Sequence, residues 1–218
     1  MKRQLKESRI AYQSEWLEVS EDFLTINEIK NNRRINDDHH DNSNIIKNSC
    51  NDIAATNKII MFNKIRTKND GTVVIPVFPD GSLLLIETYR HGVDEVLLEF
   101  PGGLIEINEE PIETARKELL QETGYRCNIL EPKGWFYTWP SRCNQKTHIF
   151  LAKGLEKVSK QDLDTTENIK IKIVSKEEMV LKVQSQELTS GGMIAALFYG
   201  YFMPTVHNNN CKNDMHRP

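Results

Sequence analysis

Hydrophobic residues alternate or cluster at strand spacing in several parts of the chain and at helical spacing in two. The run 73–86 has two apolar stretches around Asp80-Gly81, a dipeptide that favours a tight turn, and predicts a hairpin. Upstream, 16–26 and 58–65 read as two further strands, and 148–152 as another. Between 111 and 123 the spacing changes to that of a helix. Ile112, Ala115 and Leu119 fall on one stripe, with Glu118, Gln121 and Glu122 on the stripe beside it. Pro111 suits a first helical position because its fixed φ fits and its missing N–H would have no partner there. Gly124 suits the left-handed residue after the last turn. The run 189–200 reads as a second helix that packs against the sheet.

The acidic stripe changes the picture from architecture to chemistry. Acidic residues at helical spacing commonly do no more than solvate an exposed face. Here the helix follows Pro101-Gly102-Gly103, a turn whose backbone can approach a ligand closely. Carboxylates behind such a turn offer hard oxygen donors, which suit Mg²⁺ or Mn²⁺ bound together with substrate phosphates.

The segment from Gly103 to Tyr125 resembles the Nudix box, G-x5-E-x7-R-E-U-x-E-E-x-G-U with U aliphatic. Gly103, Glu109, Glu118, Leu119, Glu122 and Gly124 match it. Lys117 replaces the arginine, Gln121 the first acid of the Glu-Glu pair, and Tyr125 the final aliphatic residue. The resemblance implies a Nudix α/β/α sandwich with a mixed central sheet plus an N-terminal antiparallel sheet. It also implies that metal is held by Glu118, Glu122 and the carbonyl of Gly102. The family arginine braces the box's first glutamate, so Lys117 is expected to contact Glu109 as a point charge, without a bidentate fork. Gln121 supplies a neutral amide oxygen in place of a charged ligand.

The flanks are similar to the ADP-ribose pyrophosphatase branch. Tyr89-Arg90 ends one strand, and Glu99-Phe100-Pro101-Gly102 leads into the box. The resemblance gives Arg90 and Glu99 substrate-binding roles. The run 135–141, Trp-Phe-Tyr-Thr-Trp-Pro-Ser, matches an aromatic-Pro-Ser segment of the branch; its rings either stack on an adenine or, for most of them, fill a core. Hydrolysis by water needs a proton acceptor. Glu167, in the loop where the branch carries acids, aligns best for this role, with Asp164 and Glu118 as alternatives. The implied reaction is Mg²⁺-dependent cleavage of a nucleoside diphosphate derivative, with ADP-ribose giving AMP and ribose 5-phosphate as the leading case. Other nucleotide sugars, dinucleotides and oxidised nucleotides are the alternatives, together with a catalytically weakened nucleotide sensor.

Composition narrows the class. The chain has 218 residues, 39% of them hydrophobic, enough for one domain with appendages. A net charge of −3 argues against a protein that coats nucleic acid. Residues 31–57 are rich in asparagine, and 207–218 are similarly polar; both read as disordered. Asp37-Asp38-His39-His40-Asp41 falls in the first tract, where adjacent ligands rarely build a defined metal site. The expected organisation is N-terminal strands in 1–65 interrupted by the 31–57 insertion, a Nudix domain in 66–206 and a tail in 207–218. Cys50, Cys127, Cys143 and Cys211 show no paired short spacing, which fits reduced thiols. The start of the chain lacks an apolar export core, and 193–203 is too short to span a bilayer. A cytoplasmic protein with no membrane or nucleic-acid partner is expected. The branch resemblance further implies a homodimer formed through the N-terminal strands.

Overall fold

The computed structural model describes residues 3–28 and 56–203. The tail at 207–218, the Asp37–Asp41 cluster, Cys50, Cys211 and the 31–57 insertion up to residue 55 lie outside the described residues. The chain divides into two compact units, Met1–Arg66 and Thr67–Pro218.

The first unit is a three-stranded sheet in the order β1-β2-β3, with β1 at Arg3–Gln13, β2 at Leu17–Glu28 and β3 at Thr56–Thr67. β1 and β2 pair antiparallel, and Ser14 closes the turn by accepting from the Trp16 and Leu17 amides on its Oγ at 3.2 Å each. The strands read from sequence at 16–26 and 58–65 are β2 and β3; β1 is additional. Irregularities between Leu5 and Glu7 and between Ile10 and Tyr12 break its period of two, and every residue of β1 is exposed. Without a buried face it leaves little alternating signature.

The second unit contains β4 (Gly71–Val77), β5 (Leu83–Arg90), β6 (Glu95–Glu99), α1 (Pro111–Thr123), β7 (Tyr125–Tyr137), β8 (Lys146–Lys157), β9 (Ile169–Val174), α2 (Lys176–Gln184) and α3 (Gly191–Ala196). The helix expected over 189–200 is therefore α3 continued by a π-helical turn at Leu197–Phe202. The sheet runs β6-β5-β4-β8-β7, with β9 on β5. It is mixed, since β4 lies parallel to β8 while β7–β8, β5–β6 and β5–β9 are antiparallel.

The turn after Phe78 forms as expected, with Gly81 at φ 85° and Asp80 Oδ1 accepting from the Ser82 amide at 2.9 Å. Its two strands then part, because β4 and β5 pair only at Val77 and Leu83. Earlier along the same edge of β4, the Thr72 amide donates to Gly103 O and the Val74 amide to Pro101 O, both at 2.8 Å. Pro76, next in this alternation, has no N–H to offer, and at this point the neighbour of β4 changes from the 101–105 loop to β5. That departure leaves the loop lying along the first half of β4.

The sheet is covered on both faces. Ile75, Leu85, Ile149 and Leu151 pack with Met179, Met193, Ala196 and Leu197, whereas Val74, Phe150, Ala152 and Leu130 pack with Ala115 and Leu119 of α1. Successive residues such as Val74 and Ile75, or Ile149 and Phe150, serve opposite faces, so the central strands read as continuous apolar runs. This is an α/β/α sandwich. Among the described residues no helix is long and apolar enough to cross a membrane.

Candidate active site

The site begins with the two glycines. Gly102 lies so close to β4 that a Cβ there would overlap the carbonyl oxygen of Thr72, and a Cβ on Gly103 would meet the Glu118 carboxylate, 2.6 Å from its carbon. Neither glycine has a positive φ; what they supply is space. The same approach lets the Gly102 amide donate to Glu122 Oε2 at 2.8 Å. Pro111 starts α1, and Gly124 ends it in the left-handed region at φ 71°, its amide bonded to Leu120 O at 2.6 Å. Both helix boundaries coincide with those read from the sequence.

Glu122 is 4% exposed and Glu118 is half-buried. Burial pushes the Glu122 carboxyl up to about 8, and the nearby charges of Glu118 and Glu167 add to this, while the Gly102 N–H and Arg90 oppose it. Burial also raises Glu118, with Glu167, Glu109 and Asp164 acting in the same direction and Lys117 against them. The acids from helix, box loop and the 161–169 loop therefore share one field. Glu167 folds back on its own turn, its Oε2 accepting from the Asp164 amide at 3.1 Å. Among the described residues no three acidic, histidine or cysteine side chains converge into a preformed cation cage.

Lys117 takes a different partner from the one the family arginine implies. Its Nζ is 2.7 Å from Glu106 Oε1, and Glu109 acts on it only through its more distant charge. A flexible ammonium can settle on either acid of the loop, whereas a guanidinium fork would hold one.

Arg90 and Glu99 meet at the end of β5 and β6. Arg90 donates from Nε at 2.7 Å and from Nη2 at 2.6 Å, both to Glu99 Oε2. They line a cavity of about 370 Å³ together with Gly102, Phe136, Thr138, Ser190 and Met193. Of the aromatic run, Phe136 reaches this cavity and the core behind it, but Trp135, Tyr137 and Trp139 are about half exposed. The core role read for most of these rings is corrected by the strand itself: β7 is a sheet edge, and alternate residues near its end point into solvent.

The NUDIX domain family model matches residues 68–196. The chain belongs to the NUDIX domain family. An ADP-ribose pyrophosphatase of Bacillus subtilis (strain 168) is 32% identical over 134 residues, covering 61% of this chain and 72% of that protein. A methanol dehydrogenase activator of Bacillus methanolicus is 26% identical over 156 residues, covering 71% of this chain and 84% of that protein. Among solved structures, one described as an ADP compounds hydrolase superposes with a TM-score of 0.67, at 20% identity and over 91% of this chain and 92% of that one. At that identity the superposition speaks for the fold. Family and relatives together make this chain a Nudix hydrolase of the ADP-ribose pyrophosphatase branch, an enzyme acting on pyrophosphate bonds.

Sequence reading did not single out Thr138, Ser190 and Met193 as cavity residues, or Glu106 as the partner of Lys117. Only Ser190 carried a usable signal. It precedes Gly191-Gly192 at the start of α3, a pairing that favours close approach of a ligand as much as helix packing.

Proposed function

We propose that this enzyme hydrolyses a nucleoside diphosphate derivative with Mg²⁺, or Mn²⁺ in its place, ADP-ribose giving AMP and ribose 5-phosphate being the leading reaction. The observation that carries this reading is the junction at Gly102, whose amide holds a Glu122 carboxylate and which also lines the cavity containing the Arg90–Glu99 pair. Acidic and cationic recognition thus adjoin, as a diphosphate and its counter-ion require.

The residues fit a hard divalent cation. Buried Glu122 and half-buried Glu118 are oxygen donors raised first by desolvation and further by the charge of Glu167, with Glu118 also raising Glu122, a state that a cation would relieve. Glu118, Glu122 and the Gly102 carbonyl would hold it, and substrate oxygens and water would complete the set. When bound, the ion supplies charge neutralisation for phosphate oxygens and lowers the pKa of a water molecule. Arg90 then holds a phosphate or ribose oxygen with the donors it now gives to Glu99. Glu167, Asp164 or Glu118 accepts the proton of the attacking water, whose oxygen forms the new P–O bond as the bridging oxygen leaves with the other phosphate.

The wholly exposed β1 strand supports a homodimer assembled through the N-terminal strands. The unpaired thiols of Cys127 and Cys143 support a reducing compartment such as the cytoplasm.

A second reading, a nucleotide-binding regulator with weakened catalysis, is favoured by Gln121 in place of an acid and by the similarity to an activator protein. A substrate panel of ADP-ribose, nucleotide sugars, dinucleotides and oxidised nucleotides, run with a metal titration, separates the two. Release of AMP from ADP-ribose supports the first reading; nucleotide binding without turnover of any member supports the second.

A further inference from the structure

Every helix ends with four carbonyls that lack an intrahelical partner. In α1 these belong to Leu120, Gln121, Glu122 and Thr123. Leu120 O is capped locally by Gly124 N. The other three are capped by a single later segment. Thr123 O accepts from Lys157 Nζ at 2.5 Å, Glu122 O from Gln161 Nε2 at 2.6 Å, and Gln121 O from the Asp162 amide at 2.9 Å. The Val158 and Ser159 amides add bonds to Gly124 O at 3.0 and 3.2 Å. The chain entering the acidic loop is thus sewn to the end of the helix that carries Glu118 and Glu122.

Gln161 does more than cap. Its Nε2 also donates to Ile169 O at 3.2 Å, the first residue of β9. One amide group therefore joins the start of the loop, the end of the loop and the backbone of Glu122. Asp164 and Glu167 lie inside the loop it closes, and Glu167 comes two residues before Ile169. Inside the loop the contacts are local, between Asp164 and Glu167 in both directions, at 2.9 Å from the Glu167 amide to Asp164 O and 3.1 Å in return to the carboxylate. These set the shape of the turn. They do not set where the turn stands relative to α1.

We propose that Gln161 is a positioning residue for hydrolysis: by clamping Glu122 O and Ile169 O together it fixes the distance at which the loop acid Glu167 faces Glu118 and Glu122. The inference rests on the proposed role of Glu167 as the water-orienting acid. Losing the clamp leaves the loop held at its ends, through Asp162 on Gln121 O and through Ile169 paired with Thr88 of β5, but free to shift between them. A displacement on the order of 1 Å at a reacting group can cost about 100-fold in rate.

Gln161→Glu keeps the length of the side chain and removes the donor; Gln161→Asn keeps the donor on a shorter stem and guards against a variant that fails to fold. Metal-loaded wild type, both variants, Glu167→Gln and the Gln161→Glu/Glu167→Gln double variant are assayed for kcat and KM on ADP-ribose, and hydrogen exchange is followed in 162–168. With the clamp broken, kcat is expected to fall about 10- to 100-fold with little change in KM, and protection of 162–168 to fall. In the Glu167→Gln background the same change should cost nothing further. An equal loss in both backgrounds would make Gln161 merely structural and overturn the proposal, as would unchanged exchange in 162–168. Full turnover by Glu167→Gln instead overturns the role of Glu167, an outcome told apart by whether the exchange still responds to residue 161.

Discussion

The Gly102 amide donates to Glu122 Oε2 at 2.8 Å, joining the bend before α1 to the acid in its last turn. That contact is open only to glycine, because the bend is pressed against Thr72 on β4. Gly103 leaves room for the Glu118 carboxylate, which a Cβ there would meet. Seating of the carboxylates is therefore decided by two missing side chains. Gly103→Ala is expected to displace the Glu118 carboxylate and lower kcat by at least about 10-fold, at a stability cost of roughly 1–3 kcal/mol. Steady-state kinetics alongside thermal unfolding checks both parts; unchanged kcat would show that Glu118 is not held by this contact.

The raised carboxyl of Glu122 gives a pH dependence of definite sign. Its folded value of about 8 lies above the ordinary 4.5, so between these limits the cation-free folded protein binds more protons than the unfolded chain. The contribution of Glu122 to stability must then fall as pH rises from about 4.5 to 8. A divalent cation competes with the same proton, and its affinity should rise over that window. Unfolding temperatures across pH, with and without Mg²⁺, test this, and Glu122→Gln should flatten the dependence.

Arg90 and Glu99 are poised for exchange of partners. The Glu99 side chain is 15% exposed and takes both donated bonds on one oxygen, while Arg90 is 49% exposed and can turn to a ligand. Arg90→Ala should raise KM for ADP-ribose about 10-fold or more, since bonds to charged groups contribute about 1.5–3 kcal/mol each. Arg90→Lys should recover only part of this because it lacks the fork. An unchanged KM in Arg90→Ala would remove the arginine from substrate binding.

Gln121 is the departure from the Nudix box that replaces an acid, next to Glu122. Gln121→Glu adds a charged oxygen donor beside Glu122, and Mn²⁺ affinity measured by calorimetry is expected to rise several-fold. A large accompanying gain in turnover would mark the native protein as a weakened enzyme; no turnover in either form, with nucleotide still bound, would favour the regulator.

Much of the frame was legible in the sequence because it is built from local rules. Pro111 and Gly124 set the limits of α1, and the apolar runs around Val74 and Ile149 set the doubly covered strands. The family resemblance singled out Gly102, Gly103, Glu118 and Glu122 for the same reason, since one turn and one helix contain them all. What escaped depends on distant partners or on exposure. β1 has no buried face, the hairpin strands separate because the 101–105 loop occupies the edge of β4, and Lys117 chooses Glu106 by side-chain reach. Gln161 is an ordinary loop amide in sequence and becomes distinctive only when α1 presents bare carbonyls to it.

The central claim is that Glu122, seated by Gly102 and paired with Glu118, holds the cation that supports pyrophosphate hydrolysis. Its most direct test is the rate of AMP release from ADP-ribose as a function of Mg²⁺ concentration, for the native protein and for Glu122→Gln. The account predicts metal-dependent release by the native protein and a fall of at least about 100-fold in the variant, with saturation moved to higher Mg²⁺. Equal rates at equal Mg²⁺ for the two proteins would contradict it.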